Sequence, residues 1–101
     1  MIAIIYKFEL KENQAHNFIE AWKEMTKLIY THENGLGSRL HKKDEFTYIA
    51  YAQWPDKETW DHSGGNLPLR AQGVREKMRG ACHKVTVLHE LEVVEDLLKT
   101  D

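Results

Sequence analysis

The sequence predicts an α+β domain whose elements follow one another as βαββαβ. Three observations carry this. Apolar residues alternate through the first nine positions. A three- and four-residue apolar repeat then runs from Ala15 to Ile29. Two short strand-like runs, 38–42 and 46–54, are parted by the charged turn Lys43-Asp44-Glu45.

In chain order, Ile2, Ile4, Tyr6 and Phe8 alternate with Ala3, Ile5 and Lys7 in strand one, with apolar members on both faces. Asn13 is placed to cap the first helix. Its buried face is Ala15, Phe18, Ile19, Trp22, Met25 and Ile29, with Glu20, Lys23, Glu24 and Lys27 opposite. Asn34-Gly35 suits a left-handed helix stop. Residues 38–42 and 46–54 pair as a hairpin. Pro55-Asp56 breaks the ladder, and Asp56 caps a short helical turn through Trp60 and His62. Gly64-Gly65 interrupts that turn, and Pro68 opens another helix with the buried stripe Leu67, Ala71, Val74 and Met78. Residues 82–91 read as strand four, and 94–99 as a short helical or arm-like tail.

This order is the ferredoxin-like split βαβ arrangement, a four-stranded antiparallel sheet with helices on one face. The other face would show Ala3, Ile5, Ile49, Tyr51 and Leu88 inside a rim of Lys7, Thr47, Gln53 and Lys84. An apolar centre with a polar rim calls for a second sheet, hence a homodimer. A length of 101 residues makes one domain over 1–101.

The net charge of −2 speaks against binding to nucleic acid or an anionic membrane. The apolar start, Met1 to Phe8, is too short to span a membrane and lacks the basic lead of a signal peptide. The single cysteine, Cys82, reads as a buried structural thiol and fits a reducing compartment. A cytoplasmic location is the expectation. RNA recognition modules share the βαββαβ order, and Tyr6, Phe8, Tyr48 and Tyr51 are aromatics of strands one and three. The stretch Lys43-Asp44-Glu45-Phe46, however, lacks the basic-glycine-aromatic lead of that module.

Six histidines (His16, His32, His41, His62, His83 and His89) have no metal-ligand spacing, so no metal is expected. There is also no phosphate loop, dinucleotide fingerprint or nucleophile elbow. Aromatic content stands out instead. Trp54 ends a strand at a proline break, and Trp60 sits beside His62 in an interrupted helix. An interrupted element over a sheet leaves a gap, and aromatic-lined gaps with a few polar heads hold small molecules. Trp22 lies on the apolar face of the first helix, where core packing is the competing role.

The runs Gly37-Ser38-Arg39-Leu40-His41, Tyr48 to Trp54, and Pro55-Asp56-Lys57-Glu58-Thr59-Trp60 together resemble the antibiotic biosynthesis monooxygenase-like superfamily of dimeric α/β-barrel proteins. The resemblance covers Met1 to about Leu91. It implies a homodimer with two sheets face to face and a pocket in each subunit between sheet and helices. It also implies cofactor-free oxygenation of a small phenol- or quinol-type aromatic. Haem-degrading relatives carry an asparagine on strand one and a tryptophan and a histidine on the second helix. Tyr6, Ser63 and Gly73 stand at those positions here, which argues against haem as substrate. Pocket tryptophan, tyrosine and arginine residues are typical of the oxygenases, and Trp54, Trp60, Tyr6 and Arg75 are the nearest here.

A cofactor-free oxygenase needs a dry pocket, a proton acceptor and donors for a developing oxyanion. Tyr6, His41, His62 and Arg39 are groups of that kind. The expected substrate-binding set is therefore Tyr6, Trp22, His41, Trp54, Trp60 and His62, with no residue singled out as catalytic. The alternative is a ligand-binding or sensing protein on the same scaffold, distinguished by the absence of turnover.

Overall fold

A computed structural model describes residues 1–99. The elements are β1 (Ile2–Leu10), α1 (Ala15–His32), β2 (Ser38–Asp44), β3 (Thr47–Trp54), α2 (Lys57–Asp61), α3 (Arg70–Gly80) and β4 (Cys82–Glu92). The strands form one antiparallel sheet in the order β2-β3-β1-β4. This is the ferredoxin-like topology that the sequence predicts.

The alternation in β1 and β3 assigns the two faces. Ile4, Phe8 and Leu10 are buried on the helix side, with Tyr48, Ala50 and Trp54 from β3. Phe18, Ala21, Met25 and Leu28 of α1 close over them. The Phe8 and Phe18 ring centroids are 4.9 Å apart, and those of Phe18 and Tyr48 5.8 Å, in tilted arrangements that favour edge-to-face attraction. Two aromatics weighed for base stacking, Phe8 and Tyr48, are thus core residues. The α3 stripe packs as its spacing predicts: Ala71, with Leu67, Val74 and Met78, meets Met25 and Leu28 of α1.

The far side of the sheet carries Ile5, Ile49 and Tyr51, each partly exposed. A register shift in β4 sets Val87 opposite Tyr6 and His89 opposite Ile5, leaving Leu88 as the extra residue.

Two local expectations are corrected. Asn13 does not cap α1. Its backbone is left-handed (φ 61°), which makes it the turn residue, whereas an N-cap needs an extended conformation. Gln14 occupies the cap position with no side-chain bond to the helix backbone, and its Oε1 accepts from Asn17 Nδ2 at 3.2 Å. The hairpin turn is Glu45-Phe46, one step later than Lys43-Asp44-Glu45. Asp44 remains in β2 and tightens the turn, its Oδ1 accepting from the Phe46 backbone N–H at 3.1 Å.

Other caps match. Asn34 is left-handed (φ 61°) just after α1, and Asp56 accepts from the Thr59 backbone N–H at 2.7 Å. Residues 93–99 have no regular structure and form an arm, started by a bond from Val93 N–H to the Met1 carbonyl at 3.0 Å. Among the described residues no helix is long and apolar enough to cross a membrane.

Candidate functional site

A cavity of about 360 Å³ lies between the helix face of the sheet and α1 and α3. Its apolar walls include Phe8, Trp22, Met25, Ile29, Trp54 and Met78. Its polar side chains are Tyr6, Thr26, Ser38, Ser63, Arg75 and Arg79. A mostly apolar hollow with a few convergent polar heads is the usual form of a small-molecule site.

Each wall has a local origin. Tyr6 points to the helix side because β1 alternates, and its neighbour on that face, Phe8, stacks on it at 6.1 Å. Trp54, at the end of β3, is only 4% exposed. Gly35, just after the α1 stop, packs between Ile29 and this ring: a Cβ there would stand 2.8 Å from Ile29 Cγ2, a clash, and 3.6 Å from Trp54 Cη2, an ordinary contact. Glu33, buried at the end of α1, accepts from the Asn66 backbone N–H at 2.6 Å. That bond ties the α2–α3 loop, which presents Ser63, to α1. The loop turns at Gly64 (φ 104°), and the Arg75 guanidinium lies 3.7 Å from where a Cβ would be there.

Trp60 does not itself line the cavity. Its indole Nε1 donates to the Tyr6 hydroxyl at 3.0 Å, and Lys57 Nζ stands 5.5 Å from its ring centroid. Burial pushes the Tyr6 phenol above its ordinary pKa of 10.0, and the Trp60 bond only partly opposes this. Tyr6 is therefore protonated at neutral pH. With the indole N–H on its oxygen, its own proton is free to point at a ligand.

The structure brings Tyr6, Trp22 and Trp54 together at the cavity, with Trp60 one bond behind. His41 and His62 lie elsewhere. His62 is exposed at the end of α2, its Nδ1 donating to the Glu58 carbonyl at 2.8 Å. His41 stands opposite Ile49 on the far face of the sheet, its Nδ1 donating to the Ile49 carbonyl at 3.0 Å. There it borders a second hollow of about 330 Å³ with Arg39, Tyr51 and Leu98 of the arm. Of the haem-relevant positions, Tyr6 and Ser63 line the main cavity and Gly73 does not.

Thr26 and Arg79 did not stand out in the sequence, and Ser38 and Ser63 entered only as positions in the family pattern. The arginines had a usable signal: positions 75 and 79 flank Val74 and Met78 of the α3 stripe at a four-residue step. Among the described residues no group of histidine, cysteine, aspartate and glutamate could hold a metal ion. Cys82 is buried, its Sγ donating to the Met78 carbonyl at 3.4 Å, and burial pushes its thiol up to about 11.

The sequence profile of the antibiotic biosynthesis monooxygenase family matches residues 1–71. No curated protein matches. Among solved structures, a variant of SnoaB, a cofactor-independent oxygenase from Streptomyces nogalater, superposes with a TM-score of 0.74 at 11% identity, covering 97% of each chain. A Caulobacter crescentus CB15 protein assigned as an antibiotic biosynthesis monooxygenase gives 0.75 at 16% identity, over 93% of this chain and 90% of that one. Rv0793 from Mycobacterium tuberculosis gives 0.68 at 14% identity, over 93% and 98%. At such identities these structures speak for the fold, while the profile match carries the family. This chain belongs to the antibiotic biosynthesis monooxygenase family.

Proposed function

We propose that the protein is a cofactor-independent monooxygenase that oxidises a small, flat phenol- or quinol-type compound held in the cavity between sheet and helices. The observation that carries this is Tyr6, its hydroxyl held by Trp60, in the lining of an aromatic-walled hollow in a chain of this family. Trp22, half-buried, offers a stacking surface to a flat ring, and Trp54, almost wholly buried, backs the wall behind it. Tyr6, protonated, donates to the oxygen on which charge develops.

With an anthrone as substrate, the ring CH₂ loses a proton and the resulting carbanion passes an electron to O₂. One oxygen atom ends in the new carbonyl. The other leaves as water with the two hydrogens of the CH₂. No external reductant is needed for this balance. The protein supplies a dry pocket and oxyanion donors. Two copies paired through the far sheet face are part of this reading, because Ile5, Ile49 and Tyr51 stay partly exposed in one chain.

One observation favours a second reading. Among the described residues no carboxylate or imidazole lines the cavity, so no side chain there is an evident proton acceptor. A protein that binds such a compound without turnover fits that lining too. Oxygen uptake with a panel of anthrones and hydroquinones, free of metal and flavin, separates the two. The oxygenase reading expects uptake above the uncatalysed rate that falls in Tyr6→Phe. Binding by calorimetry with no uptake across the panel selects the second reading.

A further inference from the structure

The cavity is cationic. Its only ionised side chains are Arg75 and Arg79, both exposed on α3, and neither forms an ion pair among the described residues. They stand four apart on one helix face, where like charges repel mildly. Arg79, in the last turn of α3, gains from the helix dipole, but Arg75 sits too far from that end to share it. The nearby basic residues Arg70 and Lys57 do have acidic partners, Glu24 at 3.6 Å and Asp61 at 3.0 Å. Every other polar group on the lining is neutral, and Tyr6 presents a donor.

We infer that the cavity selects flat aromatic compounds in their anionic form, with the carboxylate or phenolate edge at Arg75 and Arg79 and the ring body against Trp22. This rests on reading the cavity as the substrate site, and it names the class of compound that site takes. A guanidinium pair matches the planar two-oxygen edge of a carboxylate and holds a single phenolate oxygen by charge. A phenol-type substrate that arrives as its phenolate also needs no acceptor side chain in the pocket, which suits the lining.

Isothermal titration with 2-naphthoate and its neutral isostere 2-naphthamide tests the charge. The acid should bind about tenfold more tightly than the amide, with a preference that shrinks as salt rises. The double variant Arg75→Gln/Arg79→Gln should lose that preference, with naphthoate affinity falling to that of naphthamide. Both arginines are exposed, and far-ultraviolet circular dichroism checks that the variant is folded. A phenolate arm uses 4-nitro-1-naphthol, read by the colour of its anion. Its bound pKa should fall by about one unit, and the fall should vanish in the double variant. Preference for naphthoate without that shift restricts the class to carboxylates, and the shift without the preference restricts it to phenolates. Equal binding of acid and amide, with no shift of the nitronaphthol, overturns the inference while the cavity reading stands. If no probe binds, the cavity reading falls and takes the inference with it.

Discussion

The indole N–H of Trp60 donates to the hydroxyl of Tyr6 at 3.0 Å, across 54 residues of sequence. The bond joins α2 to β1 behind the cavity wall. It determines which way the phenol proton points, because the indole can only donate and so takes the accepting side of the oxygen. Trp60 is thus a positioning residue for Tyr6.

Trp60→Phe keeps a ring over β1 but removes the donor. It should cost about 1 kcal/mol of stability, the net value of one such bond. It should also raise the Tyr6 pKa further, since the indole bond is the influence that lowers it. Nuclear magnetic resonance of ring-labelled tyrosine follows that titration directly. A Tyr6 resonance that titrates identically in both proteins would show that the bond does not form in solution.

Gly35→Ala tests how tightly the Trp54 wall is built. The new methyl would meet Ile29 Cγ2 at 2.8 Å. Ile29 is β-branched and held in α1, so it has few rotamers into which to retreat. The expected cost is about 1–3 kcal/mol, the range for overpacking. Thermal unfolding should show a lower Tm, and naphthoate affinity should fall because Ile29 and Trp54 both line the cavity.

Much of this was legible locally. The α1 repeat, the Asp56 cap and the α3 stripe are each written within a few residues. Asn13 misled because asparagine suits both a helix cap and a left-handed turn, and its side chain does not say which. The face on which His41 lies depends on the β2–β3 register, set by where the hairpin turns. A one-residue slip moves every side chain to the other face. The Trp60–Tyr6 bond has no local signature, because it forms only once β1 and α2 are packed together.

Cys82 and Tyr6 predict a loss of stability in alkaline solution. Both are neutral when protonated, and burial raises both pKa values, that of Cys82 from 9.0 to about 11. The unfolded chain gives up these protons first. The Cys82 contribution is therefore complete below about pH 9 and is lost as pH rises through 11, and the Tyr6 contribution is complete below about pH 10 and is lost above it. The urea midpoint should fall across that window, and the Cys82→Ala protein should show a shallower fall. At neutral pH the thiol should react slowly with a disulfide reagent. Rapid, complete labelling of the native protein would contradict its burial.

The far face of the sheet bears on assembly. Ile49 stands opposite Lys7 on β1 and His41 on β2, at the centre of a face whose middle is apolar. In one chain this face is only partly shielded, although the arm brings Leu98 to its edge beside Arg39 and Tyr51. A second copy placed sheet to sheet would bury Ile5, Ile49 and Tyr51 under both partners. Ile49→Asp would then take a carboxylate out of water beside Lys7, its cross-strand neighbour on β1, and would remove an apolar side chain from each copy's half of the seam. Desolvating such a pair costs about as much as its attraction returns, and losing two isoleucine side chains from the seam weakens the dimer further. Light scattering at micromolar concentration should show twice the chain mass for the parent and a single chain mass for Ile49→Asp. The helix-side core does not include Ile49, so the monomeric variant should keep its circular dichroism spectrum. A parent that scatters as a single chain at that concentration would remove the dimer from this reading, and the cavity, built from one chain, would remain.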